Sequence, residues 1–364
     1  MEAPPARGAS FAVRSKMEGA DEGQSTALLA SVPVADVDAG HRSVSRAERW
    51  LARWQSVHRP PVFRAAAHGA ANGTQRVPRR IYQTVDERAA AAAADSTLMQ
   101  AWWRLNPEYS YHVFDEADCS SFVRYAASTA QHRAYDALAT GAGRSDFFRV
   151  LALSLLGGVY VDTDVELRRP LRTMIPTRAS VVVSPRLSSE MMVAAAGHPL
   201  LSALVRGVQL AIEKQMHAQT SGAGTKCRDA KTCVVDVTGP TRYRQVVCAS
   251  ARQLGCDLPA TKKQCYLGLA NPILRSCARS SDPTVHVCTD ENVIRTGHQR
   301  HRGRATPGSH RGWDCGVAYH RRCRGIDPAK PCAPQDVLNA SAHYTRRRAA
   351  FFTVPARATA STGP

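Results

Sequence analysis

The sequence has no long hydrophobic run. No stretch approaches the roughly 20 apolar residues that a membrane-spanning helix needs, which excludes such a helix within these 364 residues. The opening residues, MEAPPARGASFAVRSK, also lack the apolar core of about 7–15 residues that a signal peptide contains. We therefore expect any membrane anchor to lie outside the given sequence.

Acidic residues are scarce relative to basic ones. The chain has 48 lysines and arginines against 30 aspartates and glutamates, a formal net charge of +18. This balance favours anionic partners such as nucleic acids, phosphorylated ligands or membrane surfaces. Residues 295–325 hold eight arginines and four histidines, without the regular aromatic spacing of a nucleic-acid stacking surface. We favour a solvated arginine-rich loop for that segment.

The two ends of the chain differ in composition from its middle. Residues 1–75 are rich in Ala, Gly, Ser and Arg and lack a sustained period, which predicts a low-complexity, mostly disordered region with one short helix at 46–57. Residues 346–364 are expected to form a flexible tail. Residues 76–345 remain for one folded domain, in which 227–332 are cysteine-rich.

The cysteines are distributed unevenly. Cys119 stands alone, and the other ten lie between Cys227 and Cys332. In an oxidising compartment these ten would form five disulfides and leave Cys119 free. The alternative is a zinc site, whose ligands would be Cys315, His320, Cys323 and Cys332. We favour disulfides because the spacing is not that of a standard zinc finger.

The folded part begins with signals for alternating strands and helices. Residues 76–85, RVPRRIYQTV, predict a strand, because a β-favouring run follows the proline. A helix through Trp102 is expected to end before Pro107, and the alternating run YSYHVF predicts a second strand. Asp115 is a candidate N-cap for the helix that follows. This alternation indicates an α/β fold.

The segment SDFFRVLALSLLGGVYVDTD predicts a helix and then a buried strand. Ser145 is a candidate N-cap, and apolar residues recur after it at helical spacing. Gly157 and Gly158 would end the helix, because glycine adopts the left-handed conformation of a helix C-terminus. The apolar residues Val159, Tyr160 and Val161 would then form the strand.

Two aspartates follow that strand. In an extended chain Asp162 and Asp164 would share one face, with Thr163 on the other. A buried carboxylate costs several kcal/mol unless it is paired or bound to a metal. Ligands of α/β proteins bind at the carboxyl ends of the strands, and paired carboxylates there suit Mg²⁺ or Mn²⁺. The pair therefore predicts a metal that neutralises a diphosphate.

Three ordered motifs resemble glycosyltransferase family 32, the DXD-containing group that includes the initiating α-1,6-mannosyltransferases. VPRRIYQT is similar to the family's IPKIIHQTW, and WWRLNPEYSYHVFDEAD to its SWxxxNPxYxYxLWDD. Ser-Asp-x-x-Arg precedes Gly-Gly-x-Tyr-x-Asp-x-Asp, as it does in the family. The resemblance spans about residues 77–171 and implies a GT-A type nucleotide-sugar-binding (Rossmann-like) fold. It also implies transfer from a nucleotide-sugar with retention at the anomeric carbon.

The resemblance implies roles for residues of the donor site. Asp146 and Arg149 would contact the donor sugar. Asp162 would face the sugar and ribose, directly or through the metal, and Asp164 would be the direct metal ligand. Mn²⁺ (or Mg²⁺) is the implied cofactor. No side-chain nucleophile is required if the leaving phosphate acts as the base.

Other matched residues would line the nucleotide pocket. These are Tyr160, Ile81 and Gln83, while Tyr82 and Val85 replace the family's usual histidine and tryptophan.

Two later segments also resemble the family. Residues 237–243, VTGPTRY, are similar to a Thr-Gly-Pro segment near the acceptor side. In GSHRGWD, His310 and Trp313 are candidates for the closing histidine and tryptophan, which would make His310 a third metal ligand.

The predicted function is thus transfer of a hexose from GDP-mannose or a UDP-hexose to a glycan, glycoprotein or glycolipid acceptor, in the Golgi lumen or at its membrane. Two alternatives come from other classes. A protein that binds nucleic acid or another polyanion would explain the charge but not the motifs, so no nucleic-acid partner is expected. A catalytically inactive, lectin-like relative would keep the fold and lose the metal site, yet both aspartates are present here.

Overall fold

The strands form one mixed seven-stranded sheet and a separate two-stranded pair. The structure, a computed structural model, describes residues 34–60, 62–67, 75–85, 97–163, 165–167, 169–183, 189–221, 230–250, 285–287 and 317–319. The strands in these ranges are β1 (Phe63–Arg64), β2 (Arg80–Thr84), β3 (Ser110–Phe114), β4 (Gly158–Val161), β5 (Val165–Leu167), β6 (Val181–Val183), β7 (Met191–Ala194), β8 (Val285–Val287) and β9 (Val317–Tyr319).

Helices connect most of these strands. The α-helices are α1 (Val34–Val57), α2 (Thr97–Leu105), α3 (Glu116–Ala126), α4 (Thr129–Asp136), α5 (Gly141–Leu156), α6 (Pro199–Thr220), α7 (Ala230–Cys233) and α8 (Pro240–Ser250). Leu171–Thr173 form a 3₁₀ turn. Val234–Thr238 form a π-helical turn, a conformation that is rare and often found at functional sites.

The order of the large sheet is β1-β3-β2-β4-β7-β6-β8. Strands β3, β2 and β4 are parallel, and β7 is antiparallel to β4. The chain passes from β2 to β3 on one side and later places β4 on the other, so the strand order reverses at β2. The α/β class predicted from the sequence is confirmed, as are strands within 76–85 and YSYHVF.

The sheet separates two hydrophobic layers. Alternation along β2 directs Ile81 to one layer and Tyr82 to the other. The Tyr82 layer includes buried residues of α1, α3, α4, α5, α6 and α8. The Ile81 layer includes α2, β5 and the 3₁₀ turn. Helices on both faces leave the carboxyl ends of β2 and β4 as the place where a site can form.

Helix α1 corrects the prediction for the N-terminal region. Residues 34–57 form 24 residues of helix, where the sequence predicted a shorter helix at 46–57. Ala47, Leu51 and Trp54 are buried, so the apolar stripe of this helix joins the core. Like the other helices of the described part, α1 is not both long and apolar enough to cross a membrane. The division into domains at residues 75 and 345 stays a prediction.

Helix α5 begins earlier than predicted. Its N-cap is Thr140, whose Oγ1 accepts a hydrogen bond from the Gly143 amide at 3.1 Å. Ser145 therefore lies inside the helix, and its hydroxyl is available to the site. The predicted C-terminus is correct: Gly157 has φ 63°, and an added Cβ there would lie 2.5 Å from Ala196 N.

Helices α3 and α4 both begin with reciprocal caps. The Asp115 carboxylate accepts from the Asp118 amide and the Asp118 carboxylate from the Asp115 amide, which confirms the predicted N-cap. Helix α4 was not predicted, although Ser128 and Gln131 form the same type of cap.

Little of the cysteine-rich part lies in the described residues. Cys119 is buried and free, as predicted. Of the ten later cysteines, the described ranges contain Cys233 and Cys248. The disulfide framework stays a prediction, and the ligands of the alternative zinc site lie outside the described residues.

Candidate active site

A cluster of charged and hydroxyl-bearing side chains lies at the carboxyl ends of β2 and β4. These strands pair in parallel, with Tyr82 opposite Tyr160. The strand order reverses at β2, and ligands of α/β proteins bind at such a point, in the crevice outside the carboxyl ends of the strands. Helix α5 supplies side chains of its second and third turns to this site, and the π-helical turn supplies its last residue.

Arg149 lies between two carboxylates. Its Nη2 is 3.0 Å from Asp146 Oδ1, one helical turn earlier, and 3.1 Å from Asp162 Oδ1, which follows β4. Arg149 Nη1 donates to the Ser189 carbonyl at 2.8 Å and, more weakly, to Asp162 Oδ2 at 3.4 Å. Its guanidinium carbon lies 4.5 Å from the Tyr160 ring centroid. The arginine is therefore fixed on several sides and holds the Asp162 carboxylate through both oxygens.

The three charges differ in their exposure. The side chains of Arg149 and Asp146 are 8% and 9% exposed, and that of Asp162 is 26% exposed. With both carboxylates ionised, the trio carries one excess negative charge. Asp162 thus presents a partly exposed anionic group above a buried ion pair, which is suited to binding a cation or a hydrogen-bond donor.

Burial changes the titration of these groups. Desolvation raises the pKa of Asp146 to about 6, although Arg149 and the Thr238 hydroxyl oppose the rise. Desolvation also raises the pKa of Asp162 against the attraction of Arg149. Burial lowers the pKa of Arg149, but the attraction of Asp162 and then of Tyr160 and Asp146 outweighs it, so the net pKa is raised. The guanidinium therefore stays charged at every relevant pH.

Three hydroxyl groups form a triangle next to Asp162. Thr84 Oγ1 lies 2.7 Å from Ser145 Oγ and 2.9 Å from Tyr160 Oη, and the last two atoms are 3.0 Å apart. Tyr160 Oη donates to Asp162 Oδ1 at 3.0 Å. This bond commits the single Tyr160 proton to the carboxylate, so Tyr160 accepts from its hydroxyl neighbours. The triangle thus ties β2, β4 and α5 to one carboxylate oxygen.

Asp162 is also held through its backbone. Gln83 Nε2 donates to the Asp162 carbonyl at 3.4 Å, and the Tyr111 hydroxyl donates to Gln83 Oε1. The Asp162 amide donates to the Glu190 carbonyl at 2.8 Å. The turn after β4 is therefore fixed from β2, β3 and the segment before β7.

Asp146 has a second partner from a distant part of the chain. Thr238 Oγ1 lies 3.0 Å from Asp146 Oδ2, and these residues are 92 positions apart. Thr238 ends the π-helical turn and is 4% exposed. Gly239 comes next in the chain and lies so near the carboxylate that an added Cβ would be 3.1 Å from Asp146 Oδ2.

The structure brings together most of the site residues predicted from the sequence. Asp146, Arg149, Tyr160, Asp162 and Gln83 all belong to the cluster. Their predicted roles toward a ligand stay predictions.

Other predicted site residues lie elsewhere. Ile81 is fully buried in the hydrophobic layer on the opposite face of the sheet, so its place does not favour lining a pocket. Tyr82 is also fully buried, in the other layer. Asp164, His310 and Trp313 lie outside the described residues.

The chain does not continue as an extended strand through Asp162, contrary to the sequence-based prediction. Strand β4 ends at Val161, and the Val165 amide donates to the Asp162 carbonyl at 3.2 Å. The alternation of an extended strand therefore stops before Asp162.

Sequence reasoning missed the roles of Thr84, Ser145, Ser189 and Thr238. Thr84 and Ser145 belong to the quoted motifs IYQT and Ser-Asp-x-x-Arg, and Thr238 to VTGP, so the motifs contained three of the four. Ser189 contributes its backbone carbonyl, for which a sequence gives no side-chain signal.

Asp162 has the chemistry of a ligand for a divalent metal. In the described ranges no three His, Cys, Asp or Glu side chains lie close enough together to hold a metal. Asp162 has one oxygen engaged by Tyr160 and Arg149, and its other oxygen makes a single long contact, so it retains acceptor capacity. Mg²⁺ and Mn²⁺ are often held by one or two carboxylates together with substrate phosphates and water. Asp162 fits that role, with Asp164 as its predicted companion.

The comparison with protein families identifies the segment that contains most of this cluster. Residues 93–181 match the family model described as "Glycosyltransferase sugar-binding region containing DXD motif". This segment, about a quarter of the chain, is similar to the DXD-containing sugar-binding region of glycosyltransferases. The matched range includes Asp146, Arg149, Tyr160 and Asp162. The predicted resemblance to DXD-containing glycosyltransferases is thereby confirmed for this segment, and the narrower assignment to family 32 stays a prediction.

Among solved structures, the chain is similar to "PaToxG Glycosyltransferase", with a TM-score of 0.33 and 11% sequence identity over 71% of this chain and 88% of that chain. The search of curated proteins gave no match.

Proposed function

We propose that this protein is a retaining, metal-dependent glycosyltransferase that moves a hexose from a nucleotide-sugar to a glycan, glycoprotein or glycolipid. The observation that carries the proposal is the Asp146–Arg149–Asp162 cluster at the crevice between β2 and β4, inside the matched segment. GDP-mannose and UDP-hexoses are the candidate donors.

The residues of the cluster have separable tasks. Arg149 and Tyr160 hold the Asp162 carboxylate in one orientation, with its exposed side toward the crevice. Asp146 pairs with the positive charge of Arg149 inside the protein, and the Thr238 hydroxyl orients the Asp146 carboxylate. A group fixed by several contacts loses little entropy when it binds and orients a sugar, and this positioning is a main source of catalysis. The acceptor hydroxyl would approach the face that the leaving group vacates, without a protein nucleophile.

A divalent cation fits this proposal. Asp162 and Asp164 would hold it, with His310 as the third proposed ligand. When bound, Mn²⁺ or Mg²⁺ supplies positive charge that stabilises the departing nucleoside diphosphate. The excess negative charge of the described trio favours such an ion at the exposed side of Asp162.

The test is a donor panel assayed for hydrolysis and transfer. GDP-mannose, UDP-glucose, UDP-galactose and UDP-N-acetylglucosamine are each incubated with Mn²⁺, with Mg²⁺ and with excess chelator. We expect turnover of at least one donor with metal and none with chelator, and NMR of the first product should show retained anomeric configuration. Full activity in excess chelator would contradict metal dependence.

Matched measurements separate the alternative functions. Donor binding without turnover of any donor would indicate an inactive, lectin-like relative. Binding of polyanions that falls steeply with salt, without donor binding, would indicate the nucleic-acid class.

We further propose residence in the Golgi lumen or at its membrane, with the ten later cysteines mostly in disulfides. The support is the concentration of cysteines between Cys227 and Cys332, which is typical of chains that fold in an oxidising compartment. Protein made through a secretory route is alkylated without reduction and analysed by mass spectrometry. Ten modified thiols in that range would contradict the proposal.

A further inference from the structure

The Thr238 hydroxyl has two possible hydrogen-bond acceptors, the Asp146 carboxylate and a backbone carbonyl. The hydroxyl has one proton and lies 3.0 Å from Asp146 Oδ2 and 3.1 Å from the Val234 carbonyl. That carbonyl already accepts the Gly239 amide at 2.7 Å. The ionised carboxylate is the stronger acceptor, since bonds to charged groups are shorter and stronger. The Thr238 proton therefore belongs to Asp146.

The two carboxylate oxygens of Asp146 have different partners. Oδ1 faces Arg149 Nη2 at 3.0 Å, and Oδ2 faces Thr238 Oγ1. One contact alone would leave the carboxyl group free to rotate about its bond to Cβ. The two contacts together fix its plane, and Arg149 carries that constraint to Asp162.

The backbone around Thr238 lies close to the Asp146 carboxylate. The π-helical turn ends at Thr238, and α8 begins at Pro240, with Gly239 between them. An added Cβ at Gly239 would lie 2.7 Å from the Val234 carbonyl oxygen and 3.1 Å from Asp146 Oδ2, so only glycine fits without a shift.

We propose that Thr238 is a positioning residue for the sugar site: its hydroxyl fixes the plane of the Asp146 carboxylate and, through Arg149, the orientation of Asp162. The proposal rests on the proposed glycosyltransferase function. Thr238 lies outside the segment that matches the family, so this part of the site comes from the later half of the chain. Thr238 acts through Asp146 and does not itself need to touch the donor.

The experiment compares Thr238→Val, which removes the hydroxyl at constant shape, with Thr238→Ser, which keeps it. Ser250→Ala is the matched control, because Ser250 is buried on α8 and its hydroxyl donates to the Val246 carbonyl at 2.7 Å, within the helix. With the best donor and Mn²⁺, we expect Thr238→Val to lower kcat by about 10- to 100-fold, the range for losing a hydrogen bond to a charged group. KM for the donor and affinity for the free nucleoside diphosphate should change less than about threefold.

Thr238→Ser should recover kcat to within about threefold of wild type, and Ser250→Ala should leave it unchanged. Equal losses of kcat in Thr238→Val and Ser250→Ala would overturn the proposal, because they would reflect a loosened α8. So would a loss in Thr238→Val confined to KM.

A second measurement does not depend on turnover. The ¹³Cγ resonance of Asp146, identified by its absence in Asp146→Asn, should move in Thr238→Val and stay in place in Ser250→Ala. If wild-type protein turns over no donor, the proposed function fails, and this resonance still decides whether Thr238 orients Asp146. An unmoved resonance in Thr238→Val overturns the inference even if every donor assay succeeds.

Discussion

Two buried polar clusters lie on the same sheet, and their differences show what distinguishes a site from a core contact. One centres on His112 in β3 and the other on Arg149. His112 is fully buried among the rings of Trp54, Tyr82 and Phe114. Arg149 lies at the carboxyl edge of the sheet under the partly exposed Asp162.

The His112 cluster is neutral and closed. The Nδ1 atom of His112 lies 3.2 Å from the Ile81 carbonyl oxygen. Since a carbonyl oxygen can only accept, Nδ1 carries the proton. The Nε2 atom then accepts from Gln55 Nε2 at 2.8 Å. Both ring nitrogens are satisfied, and desolvation lowers the pKa of His112 to about 3. Such a group stabilises the fold and has no capacity left for a ligand.

The Arg149 cluster is charged and open on one side. It carries one excess negative charge, and Asp162 retains acceptor capacity at the crevice. A burial pattern alone would not separate the two clusters, since both contain buried titratable groups. Net charge and position at the strand ends separate them, and the following predictions test that difference.

The largest expected effect is the loss of the buried cation. Arg149→Met leaves the buried Asp146 and the partly exposed Asp162 without a counter-charge, which should lower the free energy of unfolding by about 3–5 kcal/mol at pH 7. Denaturant unfolding measures it. Arg144→Met, on the same helix with the exposed partner Glu116, should cost about 1 kcal/mol or less. Equal losses of unfolding free energy in the two variants would show that the buried Arg149 ion pairs stabilise the fold no more than an exposed pair.

The next effect separates orientation of the sugar from anchoring of the diphosphate. Asp146→Asn should lower turnover by about 10²-fold, because it disturbs a group that positions the reacting centre. Free nucleoside diphosphate with Mn²⁺ should bind at near wild-type affinity, as calorimetry can measure. Asp164→Asn should lose both binding and turnover. If Asp146→Asn loses nucleotide binding as severely as Asp164→Asn, this division of roles is wrong.

A smaller effect is expected at the closed cluster. His112→Phe keeps a ring but leaves the Ile81 carbonyl and the Gln55 amide unpaired, which should cost about 1–3 kcal/mol of unfolding free energy. Turnover per folded molecule should stay within about threefold of wild type. A tenfold loss of turnover in protein that is fully folded would mean that His112 is coupled to the active site.

A pH dependence of opposite sign is also expected in the two clusters. His112 has a lowered pKa, so its stabilisation is present above pH 6.5 and is lost as the pH falls toward 3. Asp146 has a raised pKa, so its contribution is greatest below pH 3.8 and is lost as the pH rises to about 6. Each can change stability by at most about 1.4 kcal/mol per pH unit within its window.

Unfolding curves between pH 4 and 7 test this contrast. Compared with wild type, His112→Phe should become relatively more stable as the pH falls, and Asp146→Asn relatively more stable as the pH rises. Turnover should also rise with pH through about 6, because ionised Asp146 accepts both of its hydrogen bonds. Parallel pH profiles for wild type and both variants would contradict the assignment of these groups.

The amino-acid sequence by itself determined the parts of this protein that depend on neighbouring residues. The pattern RVPRRIYQTV specified a strand, Asp115 a helix N-cap, and Gly157 the end of a helix, because each effect acts within a few residues. The local motifs also identified Asp146, Arg149 and Asp162 as one group.

Tertiary structure decided what depends on contacts between distant segments. The helix at 34–57 is stabilised by burying its apolar stripe against α3 and α5, which composition alone does not reveal. The contact of Thr238 with Asp146 spans 92 positions, and the turn after β4 replaced the expected extended strand. Folding brings these groups together because the crevice forms only when β2, β4, α5 and the π-helical turn pack against one another.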